Sequence, residues 1–328
     1  MDTLGAVALV LVGLALLAVG GEALVRAATT FAELAGVTPA VIGLTVVAMG
    51  TSLPELAVSL LAALEGRPDL AVGNAVGSNI FNVAAALGVT AMIVPLPVHG
   101  MAVRFEWPFM FVTSFVCLLL ARDGVIDRLE GGFFVASLLL FVAYNVHVSR
   151  SEVGAVEARE IAAQVEDRDI DAPGRAKRPA RVGVPIAVLI GGVIALVLGG
   201  RFLVNGAITL AQLAGMSDRV IGLTIVAGGT GAPELATSIV AAFRGRTDVA
   251  IANMIGSNIV NILGILGLVS LISPLSVAPS IVRSDMWWMI GTTLFLLPLL
   301  HSGARISRIE GIVLTVAYGL YVGMLLWQ

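Results

Sequence analysis

The chain has 328 residues, 58% of them hydrophobic and 12% charged, against roughly 25% charged residues in an ordinary soluble domain. With 37 glycines besides, too few charges remain to cover a water-soluble globule of this length, so composition points to an integral membrane protein. A single cysteine, Cys117, excludes a disulfide framework or a thiolate metal cluster. Three scattered histidines leave no zinc site, and a net charge of -3 excludes nucleic acid as a partner.

An apolar helix needs about 20 residues to cross the hydrocarbon. The sequence predicts five such spans, at about 3–26, 38–64, 70–98, 105–121 and 131–148, and five more at about 182–214, 217–243, 249–276, 284–301 and 309–327. The first starts Met1-Asp2-Thr3, without the positive start of a signal peptide, and reads as a retained helix. Between the two sets, Arg150 to Arg181 holds 14 of the 41 charged side chains. Its opening, SEVGAVEAREIAAQVEDRD, has the make-up of a short surface helix, and its end, IDAPGRAKRPAR, that of a flexible connection. The chain therefore divides into 1–149, a charged linker at 150–181, and 182–328.

Ten spans allow orientation to be read from Lys and Arg. The face bearing the linker collects 13 of them and the opposite face 5, which places the linker in the cytoplasm and both termini outside. The expected location is the inner, cytoplasmic membrane, with the lipid bilayer as surroundings and the monomer as the working unit.

The two halves are duplicates. VIGLTVVAMGTSLPEL, from Val41, returns as VIGLTIVAGGTGAPEL from Val220; GNAVGSNIFN, from Gly73, returns as ANMIGSNIVN from Ala252. At an offset of 179, Val41–Gly88 matches Val220–Gly267 at 28 of 48 positions. Greasy segments alike by chance would share Leu and Ala, whereas Gly50, Thr51, Pro54, Glu55, Asn74, Gly77, Ser78, Asn79 and Asn82 all recur. Five spans per half is an odd number, so the second half must be inserted upside down. The predicted fold is an all-α polytopic membrane protein of ten transmembrane helices in two inverted five-helix repeats, a plan that secondary transporters use around a midplane site.

Glu55 and Glu234 fall mid-span at equivalent positions of the second and seventh helices. A charge near the bilayer centre costs at least ~2.5 kcal/mol, and neither helix offers a Lys or Arg near its acid, Arg219 standing at the opening of the seventh span, 15 positions before Glu234. A bound cation explains such a pair better than two protonated packing groups. Helical spacing sets Thr51 at i and i+4 and Ser52 at i and i+3 from Glu55; Ser78 and Asn82 repeat the i and i+4 spacing on the third helix. All are oxygen donors, suited to hard cations that take six to eight oxygens. Pro54 and Pro233 deprive the carbonyls of Gly50 and Gly229 of their helical partners and predict kinks, which membranes tolerate where the backbone lines a cavity. Gly77 and Gly256 are small enough to let the third and eighth helices close onto the second and seventh. The GSN tripeptides have no Lys and are not phosphate loops.

In these residues the chain resembles the cation/calcium exchanger superfamily, specifically prokaryotic sodium/calcium exchangers of the ten-helix kind. GTSLPEL with GNAVGSNIFN, and GTGAPEL with ANMIGSNIVN, match its two alpha-repeats. The resemblance implies that Glu55 and Glu234 are the central acids shared by Ca2+ and Na+. It also implies that Thr51, Ser52, Ser78 and Asn82, with Thr230, Ser257 and Asn261, complete the sites, along with the backbone carbonyls of Ala48 and Ala227. The first and sixth spans would be the sliding pair that gates access. Two departures thin the oxygen supply: Gly231 stands where the family often has Ser, and Asn261 where some relatives carry Asp.

The expected function is exchange of Ca2+ for Na+ by alternating access, with no resident cofactor and with Ca2+ and Na+ as transported ions. A Ca2+/H+ antiporter on the same fold is the alternative; a cation channel and an intramembrane protease are weaker readings, and no enzyme activity is expected. Trp107, Trp287 and Trp288 read as interfacial anchors, and His99, His147 and His301 as loop or interface residues. Glu22 has Arg201 at its repeat-related position, and the two are expected to pair between the first and sixth helices.

Overall fold

The computed structural model describes residues 3–98, 102–166, 183–214, 227–301 and 305–327. Helices follow the predicted spans in order: α1 (Thr3–Ala35), α2 in two limbs (Pro39–Thr51 and Leu53–Leu64), α3 (Pro68–Ile93), α4 (Ala102–Asp123), α5 (Arg128–Glu166), α6 (Gly183–Leu213), α7 (Ala227–Thr230 and Ala232–Phe243), α8 (Thr247–Ile272), α9 (Ile281–Asp285 running into Met286–His301) and α10 (Arg308–Trp327). Among the described residues, seven of these are long and apolar enough to cross a membrane unaided, and bent α2 makes an eighth. The opening of the seventh span, including Arg219 and Val220, lies outside the described residues, as do His99 and the linker from 167 to 182.

The two most buried helices are α3 and α8, with 78% and 83% of their apolar windows enclosed by protein, against 28% for α1 and 22% for α6. Their sequences say why: GNAVGSNIFN and ANMIGSNIVN put small and polar residues all round, which lipid would reject but neighbouring helices can satisfy. By contrast α1 and α6 present Leu, Val and Ile outward, as lipid-facing helices do.

The inversion is visible in how helices cross. On α1 and α6, a Cβ at Gly13 would stand 2.8 Å from the Gly199 carbonyl, one at Gly20 2.9 Å from that of Gly192, and one at Gly206 2.7 Å from that of Ala6. Advancing along α1 retreats along α6, so the two run antiparallel along a glycine seam that admits no side chain. Two further seams are copies of each other, Gly88 of α3 on Gly311 of α10 and Gly267 of α8 on Gly131 of α5.

Short strands repeat the exchange. Strand β1 (Leu96–Pro97) pairs antiparallel with β4 (Arg305–Ile306), and β2 (Val125–Ile126) with β3 (Leu275–Ser276). Arg150 Nε donates to the Ala35 carbonyl at 3.2 Å and Thr38 N to Ser149 Oγ at 2.7 Å, so the ends of α1 and of the membrane part of α5 share one face, as an odd number of spans requires.

Three expectations need correction. The opening of the linker is no separate surface helix: α5 continues unbroken to Glu166. Trp107 is no interfacial anchor, being 7% exposed with its indole N–H donated to the Thr293 carbonyl at 2.7 Å; a buried indole needs such a partner. Glu22 does not pair with Arg201. It pairs with Arg244, at the end of α7, and with Arg26 one turn along α1.

Candidate functional site

Glu55 and Glu234 each sit in the first turn of a second limb, after a break made by local chemistry. Pro54 and Pro233 occupy the start of those limbs, where a missing N–H costs nothing. Ser52, at the break of α2, has φ -82° and ψ 8°; Gly231, its image in α7, has φ -81° and ψ 5°. The two limbs of α2 are bent by 45°, as the Gly-Pro spacing predicts. Leu56 N and Leu235 N resume the ladder on the carbonyls of Ser52 and Gly231, both at 3.1 Å.

The bend turns both acids inward. Glu55 is 1% exposed and Glu234 0%. Ser52 Oγ donates to Glu234 Oε1 at 3.0 Å, so the break in one repeat touches the acid of the other. Thr51 Oγ1 donates to the Ala48 carbonyl at 3.2 Å and stands 3.5 Å from both Ser257 Oγ and Asn253 Oδ1 on α8. That Ala48 carbonyl also accepts Ser52 N at 3.0 Å.

The inward faces of α3 and α8 supply the rest. Ser78, Asn82, Ser257 and Asn261 are all buried, and both asparagines lie in wide π-helical turns, Phe81–Ala86 and Val260–Leu266, a local form frequent at functional sites. Asn261 Nδ2 donates to Asn79 Oδ1 at 3.0 Å. Glu55 Oε2, Glu234 Oε2, Asn82 Oδ1 and Asn261 Oδ1 are buried acceptors with no hydrogen-bond partner. Buried polar groups are normally satisfied, and four such oxygens, one each from α2, α7, α3 and α8, are hard donors of the kind that fill part of a cation's shell of six to eight oxygens. Among the described residues there is no group of three or more His, Cys, Asp or Glu placed to hold a metal ion.

Thr230 closes the first limb of α7 and lines a cavity of about 270 Å3 with Pro54 and Pro233. Ala227 opens that limb in the described chain. Gly256 acts as predicted: any Cβ there would overlap the Leu44 carbonyl of α2. At the offset of 179 the image of Leu44 is residue 223, which lies outside the described residues.

Gly231 has a physical reason. A Cβ there would run into the ring of Phe81 from α3, which also packs edge-on against Tyr318 at 5.6 Å. Position 260, the image of Phe81, is Val. The hydroxyl that Ser52 offers Glu234 thus has no counterpart beside Glu55, because an aromatic ring fills its place.

Two polar sets escaped assignment from sequence although their recurrence was plain. Asn74 Nδ2 donates to the Glu55 carbonyl at 3.2 Å and to Ser59 Oγ at 3.0 Å; Asn253 Nδ2 donates to the Glu234 carbonyl at 3.4 Å and to Ser238 Oγ at 3.1 Å. These amides hold the acid-bearing turns onto α3 and α8. Asn79 and Asn258 exchange bonds across the pseudo-two-fold, each Nδ2 donating to the other's carbonyl, at 3.1 and 3.4 Å. Thr237 is buried with its hydroxyl unpartnered, and its repeat image is Val58, so repetition gave no signal for it.

Comparison with known proteins agrees with this geometry. The chain is 36% identical over 328 residues to the inner membrane protein YrbG of Escherichia coli, covering 98% of this chain and 97% of that protein. It is 33% identical over 342 residues to the sodium/calcium exchanger MaX1 of Methanosarcina acetivorans, covering 97% and 98%. A solved structure of the sodium-calcium exchanger NCX_Mj, soaked with zero Na+ and Ca2+, superposes with a TM-score of 0.80 at 29% identity, over 99% of this chain and all of that one. The sequence pattern of the family described as sodium/calcium exchanger protein matches residues 5–147 and 184–327, and the chain belongs to that family.

Proposed function

We propose that this protein is a secondary antiporter that exchanges Ca2+ for Na+ across the cytoplasmic membrane by alternating access. The observation that carries the reading is the set of four unpartnered buried oxygens, from Glu55, Glu234, Asn82 and Asn261, two from each repeat. Thr51, Ser52, Ser78, Thr230 and Ser257, with the carbonyls of Ala48 and Ala227, are the remaining donors in this proposal. Ca2+ and Na+ are its substrates, and no resident cofactor takes part. The charged segment 150–181 faces the cytoplasm, both termini lie outside, 1–149 and 182–328 are the two inverted repeats, and one copy suffices for transport.

Mechanism follows from charge. Two ionised carboxylates contribute about -2, which one Ca2+ or several Na+ offset; an empty, fully charged pocket is costly to carry through a low-dielectric barrier. Loaded forms therefore reorient and the empty form resists. Since the ions compete for the same carboxylates, downhill Na+ drives Ca2+ the other way. The full-length protein in vesicles is expected to move Ca2+ against an imposed Na+ gradient. Glu55→Gln and Glu234→Gln are each expected to abolish this; undiminished uptake by either variant would overturn the site assignment. A pH gradient imposed without Na+ separates the two coupling ions: Ca2+ movement driven by it alone would replace Na+ by H+.

A further inference from the structure

Near one end of the bundle, Glu22 of α1 is locked to Arg244 at the end of α7. Arg244 Nε donates to Oε2 at 2.8 Å and Nη2 stands 2.7 Å from Oε1. The helices touch just beside this pair, where a Cβ at Gly21 would lie 3.3 Å from the Ala236 carbonyl and 3.2 Å from the Val240 side chain. At the offset of 179, Glu22 becomes Arg201 and Arg244 becomes Glu65; Gly21, Ala236 and Val240 become Gly200, Ala57 and Leu61. The repeat-related positions thus carry the same two charges, exchanged between the helices.

The two copies are in opposite states. Gly200, Arg201, Ala57 and Leu61 line the cavity of about 270 Å3 between α6 and the second limb of α2, which reaches inward to Thr230. Among the described residues, Arg201 and Glu65 are both exposed and form no ion pair. The contact that is shut between α1 and α7 is thus open between α6 and α2, on the opposite side of the membrane.

We propose that Glu22–Arg244 and Arg201–Glu65 are reciprocal latches, one closed in each facing state. This rests on the alternating-access reading above. Passage between states exchanges one ion pair for the other and moves the cavity from one end of the site to the other. Each state is held by about the same interaction, which keeps both populated, since a ligand can shift an equilibrium only by its preference between the states.

The test uses the full chain in vesicles, in a Cys117→Ala background, with mercuric ion as a thiol bridge. Glu22→Cys/Arg244→Cys and Glu65→Cys/Arg201→Cys are each expected to bridge, under opposite Na+ gradients, and each bridge is expected to stop Ca2+ exchange until a thiol reductant restores it. Arg201→Glu alone is expected to slow exchange about two- to fivefold, and Arg201→Glu/Glu65→Arg to recover it. Failure of the 65/201 pair to bridge under either gradient, in protein that still exchanges, would overturn the latch, as would failure of the charge swap to recover any of the loss. Absence of exchange in the unmodified chain would instead overturn the proposed function.

Discussion

A carboxylate at membrane depth is tolerated only where fixed dipoles or ions compensate it, and here each acid is served unequally. Glu234 has the Ser52 hydroxyl at 3.0 Å, whereas the place beside Glu55 is taken by the Phe81 ring. Ser52→Ala is expected to raise the half-saturating Ca2+ concentration about tenfold, the scale of one hydrogen bond to a charged group, in a Ca2+ uptake titration. Gly231→Ser alone overpacks against Phe81 and is expected to cost roughly 1–3 kcal/mol of stability, seen as a lower midpoint in thermal unfolding. Combined with Phe81→Val, which copies Val260, it is expected to regain that stability and to steepen the dependence of exchange on Na+. A Hill coefficient identical to that of the parent protein would show that position 231 contributes no ligand. Residue identity made the acids and their hydroxyl neighbours legible in the sequence, since oxygen donors recur there against a greasy background. Thr237 was illegible because its image is Val58, and Phe81 because an aromatic in an apolar span looks like packing until its ring is found over Gly231.

Among the elements, the bends were the most readable, because proline fixes its consequence locally. The break after Thr51 and its copy after Thr230 fall where Gly-x-x-x-Pro puts them. Pro54→Ala restores one backbone donor and is expected to leave the thermal midpoint unchanged or higher while reducing Ca2+ exchange, because a straightened α2 draws Ser52 away from Glu234; full exchange in that variant would argue against the bend as a site former. Contacts decided by partners elsewhere were not readable. Nothing near Glu22 in the sequence announces Arg244, 222 positions away, and Trp107 resembles a belt residue until Thr293 is found across from it. The glycine seam of α1 and α6 was equally hidden, since glycines in apolar helices are common. Gly199→Leu forces a side chain into the Gly13 backbone and is expected to block exchange, with the loss of α1–α6 packing visible as a lower thermal midpoint.

For the whole molecule, the paired features all obey one operation: the exchanged asparagines Asn79 and Asn258, the two glycine contacts at Gly88 and Gly267, and the strands β1·β4 and β2·β3. In every case the partner comes from the other half. A lone half would be left with two unmated strand edges and half a set of cation donors, which only an upside-down twin completes. Each half is therefore a template for the other, turned over by a two-fold rotation. Severing the chain at 167–182 and producing the pieces together is accordingly expected to give a working complex that copurifies without any covalent joint.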